Sequence, residues 1–159
     1  MSRDTRKNLI EGIGRLVMRW QDATRAFDEA VGERLGLASA EMQCLGFLYA
    51  GPQTAGAIAR AVGLTPAAVT SLIDRLETRK LVERVKNLED RRQTHVALTA
   101  AALKATARYY TPIAKEGAAL LATKSTAELE SLKAFFADAL ALQQRHTEKI
   151  HEKKGQRPA

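Results

Sequence analysis

Apolar residues recur at Leu9, Ile13, Leu16, Trp20, Phe27 and Val31, with Ala23 filling the missing step. Gaps of three and four place them on one face of a long helix turned toward a partner. Gly32 and Gly36 punctuate its end. Ser39 then suits the N-cap of a helix running to about Ala50, before Gly51-Pro52. Thr54 suits the cap of a short helix from Ala55 to about Val62, with Ala57, Ile58 and Ala61 on its inner side. Gly63-Leu64 breaks that helix, and Thr65-Pro66 starts another at once. Thr65 is the N-cap, and Pro66 stands at the first helical position, where its missing N–H does no harm. Val69, Leu72, Ile73 and Leu76 form the buried stripe, and the helix ends near Arg79-Lys80.

The period then changes from 3.6 to 2. Leu81 to Val85 reads as a strand, Lys86 to Arg92 as a polar turn, and Thr94, Val96 and Leu98 as alternate positions of a second strand. Together they predict a hairpin with a charged tip. Thr99 caps a long helix rich in Ala and Leu, which Pro112 should kink or split after Tyr110-Thr111. Ser125-Thr126-Ala127-Glu128 is a capping box that opens a last helix carrying Leu129, Leu132, Phe136, Leu140 and Gln143. The basic tail, 147–159, is polar and is expected to be frayed or disordered.

Composition narrows the picture. The chain has 159 residues, 45% apolar but only 5% aromatic, so its core rests on Leu, Val, Ile and Ala. This favours helices over a sandwich or barrel. The net charge of +7 biases the chain toward polyanions. The excess is localised: residues 54–98 hold eight Lys/Arg against five Asp/Glu, and residues 145–159 hold five against two. The tail reads as a solvated end, with nonspecific phosphate contact as the sharper alternative. No apolar run approaches the roughly 20 residues of a membrane span, and the N-terminus lacks a signal-peptide core. The expected location is therefore cytoplasmic, without a membrane partner.

The single cysteine, Cys44, excludes an intrachain disulfide and a cysteine metal cage. Its place between Ala40 and Leu48 on one helical face makes it a small core residue. His95, His146 and His151 are scattered, so neither metal nor cofactor is expected. There is no Gly-rich phosphate loop, HExxH, nucleophile elbow or Cys–His pair, and an enzyme is not expected.

Helix, short turn, helix and hairpin over Thr54 to Leu98 is the order of a helix-turn-helix with a wing. Its second helix is suited to the DNA major groove. Pro66, Ala67, Thr70 and Ser71 in its first half are small or hydroxylic, which lets the helix sit deep and bond phosphates or base edges. Arg75 lies a turn further on, in reach of a phosphate or guanine. Arg91 and Arg92 at the hairpin tip suit an A·T-rich minor groove. Asp90 is placed to orient Arg92 rather than to face phosphate.

The stretch from Thr54 to Thr99 resembles the core of the MarR family of transcriptional regulators. The likeness rests on the Thr-led first helix, on Asp74-Arg75-Leu76-Glu77, on the wing motif Asp90-Arg91-Arg92 and on Leu98-Thr99. It extends over about residues 8 to 145. The resemblance implies a mostly α fold with a small β-hairpin wing: a winged helix-turn-helix lobe (37–98) flanked by long dimerisation helices (8–35 and 99–145), all in one domain. It implies a homodimer on a palindromic double-stranded operator. Thr54, Pro66, Ala67, Thr70, Ser71, Arg75, Asp90, Arg91 and Arg92 form the expected DNA-binding set. It also implies a repressor released by a small aromatic or phenolic effector or another signal. Trp20 continues the Leu16 stripe, so packing is its first reading, and Trp20 and Met42 are the candidates for an effector-pocket wall. The alternative is a winged-helix module for protein–protein contact without DNA. Two positions depart from the family pattern: Lys80 stands where a left-handed Gly is usual, and Ala57 where Glu completes a capping box.

Overall fold

The computed structural model describes residues 3–86 and 93–155. The element order is α1 (Arg3–Leu35), α2 (Ser39–Leu48), β1 (Gln53–Thr54), α3 (Ala55–Val62), α4 (Pro66–Thr78), β2 (Val82–Lys86), β3 (Thr94–Leu98), α5 (Ala100–Ala122) and α6 (Thr126–Gly155). This is a winged helix-turn-helix lobe within a mostly helical chain. Two compact units are formed, Met1–Tyr110 and Thr111–Ala159.

In the first unit, the core gathers Leu45 and Leu48 from α2, Ile58 from α3, Val69, Leu72, Ile73 and Leu76 from α4, and Val82 and Val96 from the sheet. Each such aliphatic side chain gains about 1.5–3 kcal/mol from burial. The stripe predicted on α4 is therefore the inner face of the lobe. The sheet order is β1-β3-β2, all antiparallel, with Gln53↔Val96 and Thr54↔His95 on one side of β3 and Val82↔Leu98 on the other. The two-residue strand β1 is an addition to the expected hairpin, too short to carry a period of two.

The helix ends follow local chemistry. Thr54 Oγ1 accepts from the Ala57 N–H at 3.2 Å and Thr65 Oγ1 from the Ala68 N–H at 3.3 Å. Half of the capping box on α3 thus stands without a Glu at 57. The N-cap of α2 is Ala38, not Ser39. Glu41 reaches back from the third helical position, its Oε2 accepting from the Ala38 N–H at 2.9 Å, which is the reciprocal half of a capping box. Lys80 has φ of 57°. The Lys80 N–H reaches the Glu77 carbonyl and the Leu81 N–H the Leu76 carbonyl, the hydrogen-bond pattern of a left-handed helix stop. The turn usual with Gly is therefore kept by Lys. Thr99 closes it: its hydroxyl donates to the Lys80 carbonyl at 2.7 Å and accepts the Ala102 N–H at the start of α5.

On α1, Val31 is buried and Phe27 stacks edge-on against Tyr110, whose hydroxyl donates to Asp28 at 2.6 Å. Leu9, Ile13, Leu16 and Trp20 are 49% to 63% exposed. The stripe is thus as continuous as the spacing predicts, and its burial is greatest at the C-terminal end, at Phe27 and Val31. Helix α5 runs through Pro112 without ending, since a single interior proline removes one hydrogen bond while good helix formers flank it. The unit boundary still falls at Tyr110–Thr111, where the break was expected.

The second unit contains the end of α5 and all of α6. Ser125 and Glu128 form the predicted box, with the Ser125 N–H on Glu128 Oε2 at 2.8 Å and the Glu128 N–H on Ser125 Oγ at 3.3 Å. These hydrogen bonds hold the Glu128 carboxyl below its usual range. Helix α6 continues to Gly155, past position 147 where the polar tail begins. Glu148 to Lys154 includes no Gly or Pro and is rich in Glu and Lys, so helical propensity carries the segment.

Candidate nucleic-acid interface

Helices α3 and α4 are joined through Gly63 and Leu64, and their directions differ by 105°. Gly63 adopts a left-handed φ of 71°, which lets α3 stop on the Ala59 carbonyl before Thr65 caps the next helix. The 105° turn lies within the range of DNA-binding helix pairs. With Val69, Leu72, Ile73 and Leu76 buried, α4 presents Pro66, Ala67, Thr70, Ser71, Asp74 and Arg75 on its exposed face. Thr70 donates to the Pro66 carbonyl at 3.0 Å and Ser71 to the Ala67 carbonyl at 3.2 Å. Both hydroxyls therefore lie close to the helix, leaving a low profile with oxygen acceptors outward.

The Asp74-Arg75-Leu76-Glu77 signature is explained residue by residue. Leu76 is core. Asp74 Oδ1 accepts from Arg84 Nη2 at 2.6 Å, and Glu77 accepts from Arg84 Nη1. The two carboxylates of α4 are thus tied to strand β2 by one shared guanidinium. Arg75 Nε donates to Glu41 Oε1 at 3.3 Å, while the Arg75 side chain stays 59% exposed. Arg79 Nη1 lies 4.0 Å from the other oxygen of Glu41 and donates to the Gly36 carbonyl at 2.7 Å, and Nη2 donates to the Leu35 carbonyl at 2.7 Å.

Pro66, Ala67, Thr70, Ser71 and Arg75 are therefore brought onto one exposed face. Thr54 is set apart from them: part-buried, with its backbone in the sheet and its hydroxyl capping α3. Asp90, Arg91 and Arg92 lie outside the described residues. Trp20 and Met42 are not brought together within the chain. Met42 packs on the core close to Gly32, where a Cβ would meet Met42 Cγ and the Leu37 carbonyl oxygen, each at 3.1 Å. Trp20 stands twelve residues earlier on α1, about 18 Å away at the helical rise.

Glu41, Arg79 and Arg84 were not singled out by the sequence reading. A signal existed for Glu41, an acidic residue three positions after Ala38, but the Ser39 hydroxyl drew the cap one residue too far. Arg79 and Arg84 carry no local signal, because their partners are set by tertiary packing. Cys44 is fully buried, and burial, followed by the neighbouring Glu41 charge, pushes its thiol up to about 11. A thiol so held is protonated and unreactive at neutral pH. Among the described residues, no group of three His, Cys, Asp or Glu is placed to hold a metal, and no single helix is long and apolar enough to cross a membrane.

Comparison with known proteins agrees with this architecture. Residues 35–93 match the sequence model of the MarR family. The chain is 28% identical over 152 residues to YcgE, an HTH-type transcriptional regulator of Bacillus subtilis, covering 95% of this chain and 99% of that one. Among solved structures it resembles MepR of S. aureus. A mutant from a multidrug resistant clinical isolate superposes with a TM-score of 0.65 at 23% identity, over 82% of this chain and 96% of that one. MepR in complex with DNA superposes at 0.52 and 23% identity, over 82% and 98% of the two chains, and MepR bound to ethidium bromide at 0.56 and 23%, over 82% and 95%.

Proposed function

We propose that the chain is a winged helix-turn-helix transcriptional regulator of the MarR family, which binds a palindromic operator as a homodimer and represses transcription until a small aromatic molecule releases it. The observation that carries the DNA reading is the exposed face of α4. Its side chains are small or hydroxylic from Pro66 to Ser71, it ends on an outward Arg75, and its carboxylates are engaged by Arg84. Such a helix enters a major groove without steric conflict and with its carboxylates drawn toward Arg84 and partly offset by it. Arg91 and Arg92 add the wing contact and Asp90 orients Arg92, while Thr54 serves by fixing the start of α3.

The dimer reading rests on α1 and α6. Leu9, Ile13, Leu16 and Trp20 on one helix, and Phe136 and Leu140 on the other, are 48% to 63% exposed, more apolar surface than a lone protomer leaves in water. A second copy covers both stripes and sets two recognition helices on one side of a two-fold axis. Release by an aromatic molecule is supported by the ethidium-bound relative, and repression by the simple geometry of a dimer blocking polymerase. The test is selection of bound duplexes from a random pool. Recovery of an inverted repeat with half-sites about one helical turn apart supports the reading. A pool that never enriches contradicts it and favours a module for protein contact. Aromatic compounds added to the selected complex then test release.

A further inference from the structure

Glu41 is a buried charge that does more than cap its own helix. It is 7% exposed, and among the described residues no other charged side chain is as buried. Burying a carboxylate is costly unless it is well paired. The bond to the Ala38 N–H at the start of α2 uses only one of the two carboxylate oxygens. What Glu41 adds is a junction. One oxygen meets the N-cap of α2 and lies 4.0 Å from Arg79, which itself grips the last carbonyls of α1. The other oxygen accepts from Arg75 Nε on α4 at 3.3 Å.

The Nε bond fixes the guanidinium of Arg75 by its inner edge. The outer nitrogens belong to a side chain 59% exposed, on the same face as Ser71 and one turn beyond it. A guanidinium that reads a guanine needs a fixed plane, whereas one that neutralises a phosphate does not. We infer that Glu41, which itself meets no DNA, is a positioning residue for sequence recognition: it holds Arg75 in the orientation that reads a base. The inference rests on the DNA-binding reading above. Arg79 remains beside Glu41 when Arg75 is changed, so variants at the exposed Arg75 leave the carboxylate with a counter-charge.

The experiment uses the full-length dimer, with the operator obtained by random-pool selection and a scrambled duplex of equal length. Glu41→Gln is expected to weaken operator binding by about tenfold and scrambled binding by less than about twofold. In an Arg75→Ala background the same change should cost less than about twofold on either duplex. Arg75→Lys, which keeps the charge but not the fork, should lose the same operator preference with an unaltered salt slope. Tighter binding of Glu41→Gln to both duplexes, as simple removal of a negative charge predicts, overturns the inference. So does an equal loss with and without Arg75, which marks a purely structural role. If Glu41→Gln does not fold, Arg75→Lys decides alone: retained operator preference overturns the inference, and lost preference supports it. A wild type with no preference for any duplex fails the DNA reading itself. A wild type that prefers the operator while both variants match it fails only the role of Glu41.

Discussion

Replacing Lys80 with Gly should stabilise the protein. At φ of 57° the Cβ of Lys80 crowds the backbone, at a cost of about 1–2 kcal/mol for a residue other than glycine. Glycine removes that cost but enlarges the unfolded ensemble, which returns about 0.4–1 kcal/mol. The net gain is then about 0.5–1 kcal/mol. The surrounding bonds use backbone atoms of residue 80, including the Lys80 N–H on Glu77 and the Thr99 hydroxyl on the Lys80 carbonyl, so they survive the change. The assay is equilibrium denaturation at one fixed protein concentration, because the proposed dimer would make apparent stability concentration-dependent. The thermal midpoint should rise by about 2–3 °C for a chain of this size. Lys80→Ala is the control: it removes the side chain but keeps the Cβ, and should bring no comparable gain. Equal stabilisation by Ala and Gly, or none by Gly, would refute the argument that backbone strain sits at this turn.

Further outcomes follow from the same structure. Light scattering at micromolar concentration should show a dimer, with an interface above roughly 2,000 Å², and a monomer would defeat the assignment of the exposed stripes. The Cys44 thiol is raised from 9.0 to about 11, so the folded chain keeps a proton that the unfolded chain loses, and stability should fall as pH rises from about 9 to about 11. Comparison with Cys44→Ala isolates this term, and a wild type and variant with the same slope over that window would contradict it. Replacing Arg92 with Ala should weaken binding to many sequences and make the salt dependence shallower by about one counterion. Replacing Asp90 with Ala should also weaken operator binding despite removing a negative charge, and tighter binding would dismiss its orienting role.

The lobe was legible because local chemistry and packing agree there. Thr54, Thr65 and Pro66 begin their helices as hydroxyl caps and a first-position proline should, and the three- and four-residue spacing from Val69 to Leu76 is the buried face of α4. Lys80 departs from the family pattern, and its positive φ shows that the turn outweighs the residue's preference. The start of α2 was misplaced because a serine offers a hydroxyl at position 39, while the true cap is satisfied by Glu41 from inside the helix. Arg75 was read as reaching outward, and it does so, but with one edge held by a residue 34 positions away. No spacing rule contains that pairing. Helix α6 outlasts its apolar pattern because propensity, not burial, carries its last turns. The stripe on α1 is legible as a stripe, but the spacing does not say what packs against it.

The central claim is that the face of α4 from Pro66 to Arg75 reads DNA sequence. The measurement that tests it most directly is the affinity of the full-length protein for its selected operator against a scrambled duplex, each titrated over a range of salt. Both affinities should fall linearly on a logarithmic salt axis. The operator should be preferred by about a thousandfold or more at physiological salt. Replacing Ser71 or Thr70 with leucine should collapse that preference while leaving scrambled binding nearly intact. Equal affinity of the wild type for the two duplexes, or a leucine variant that keeps its preference, would contradict the claim.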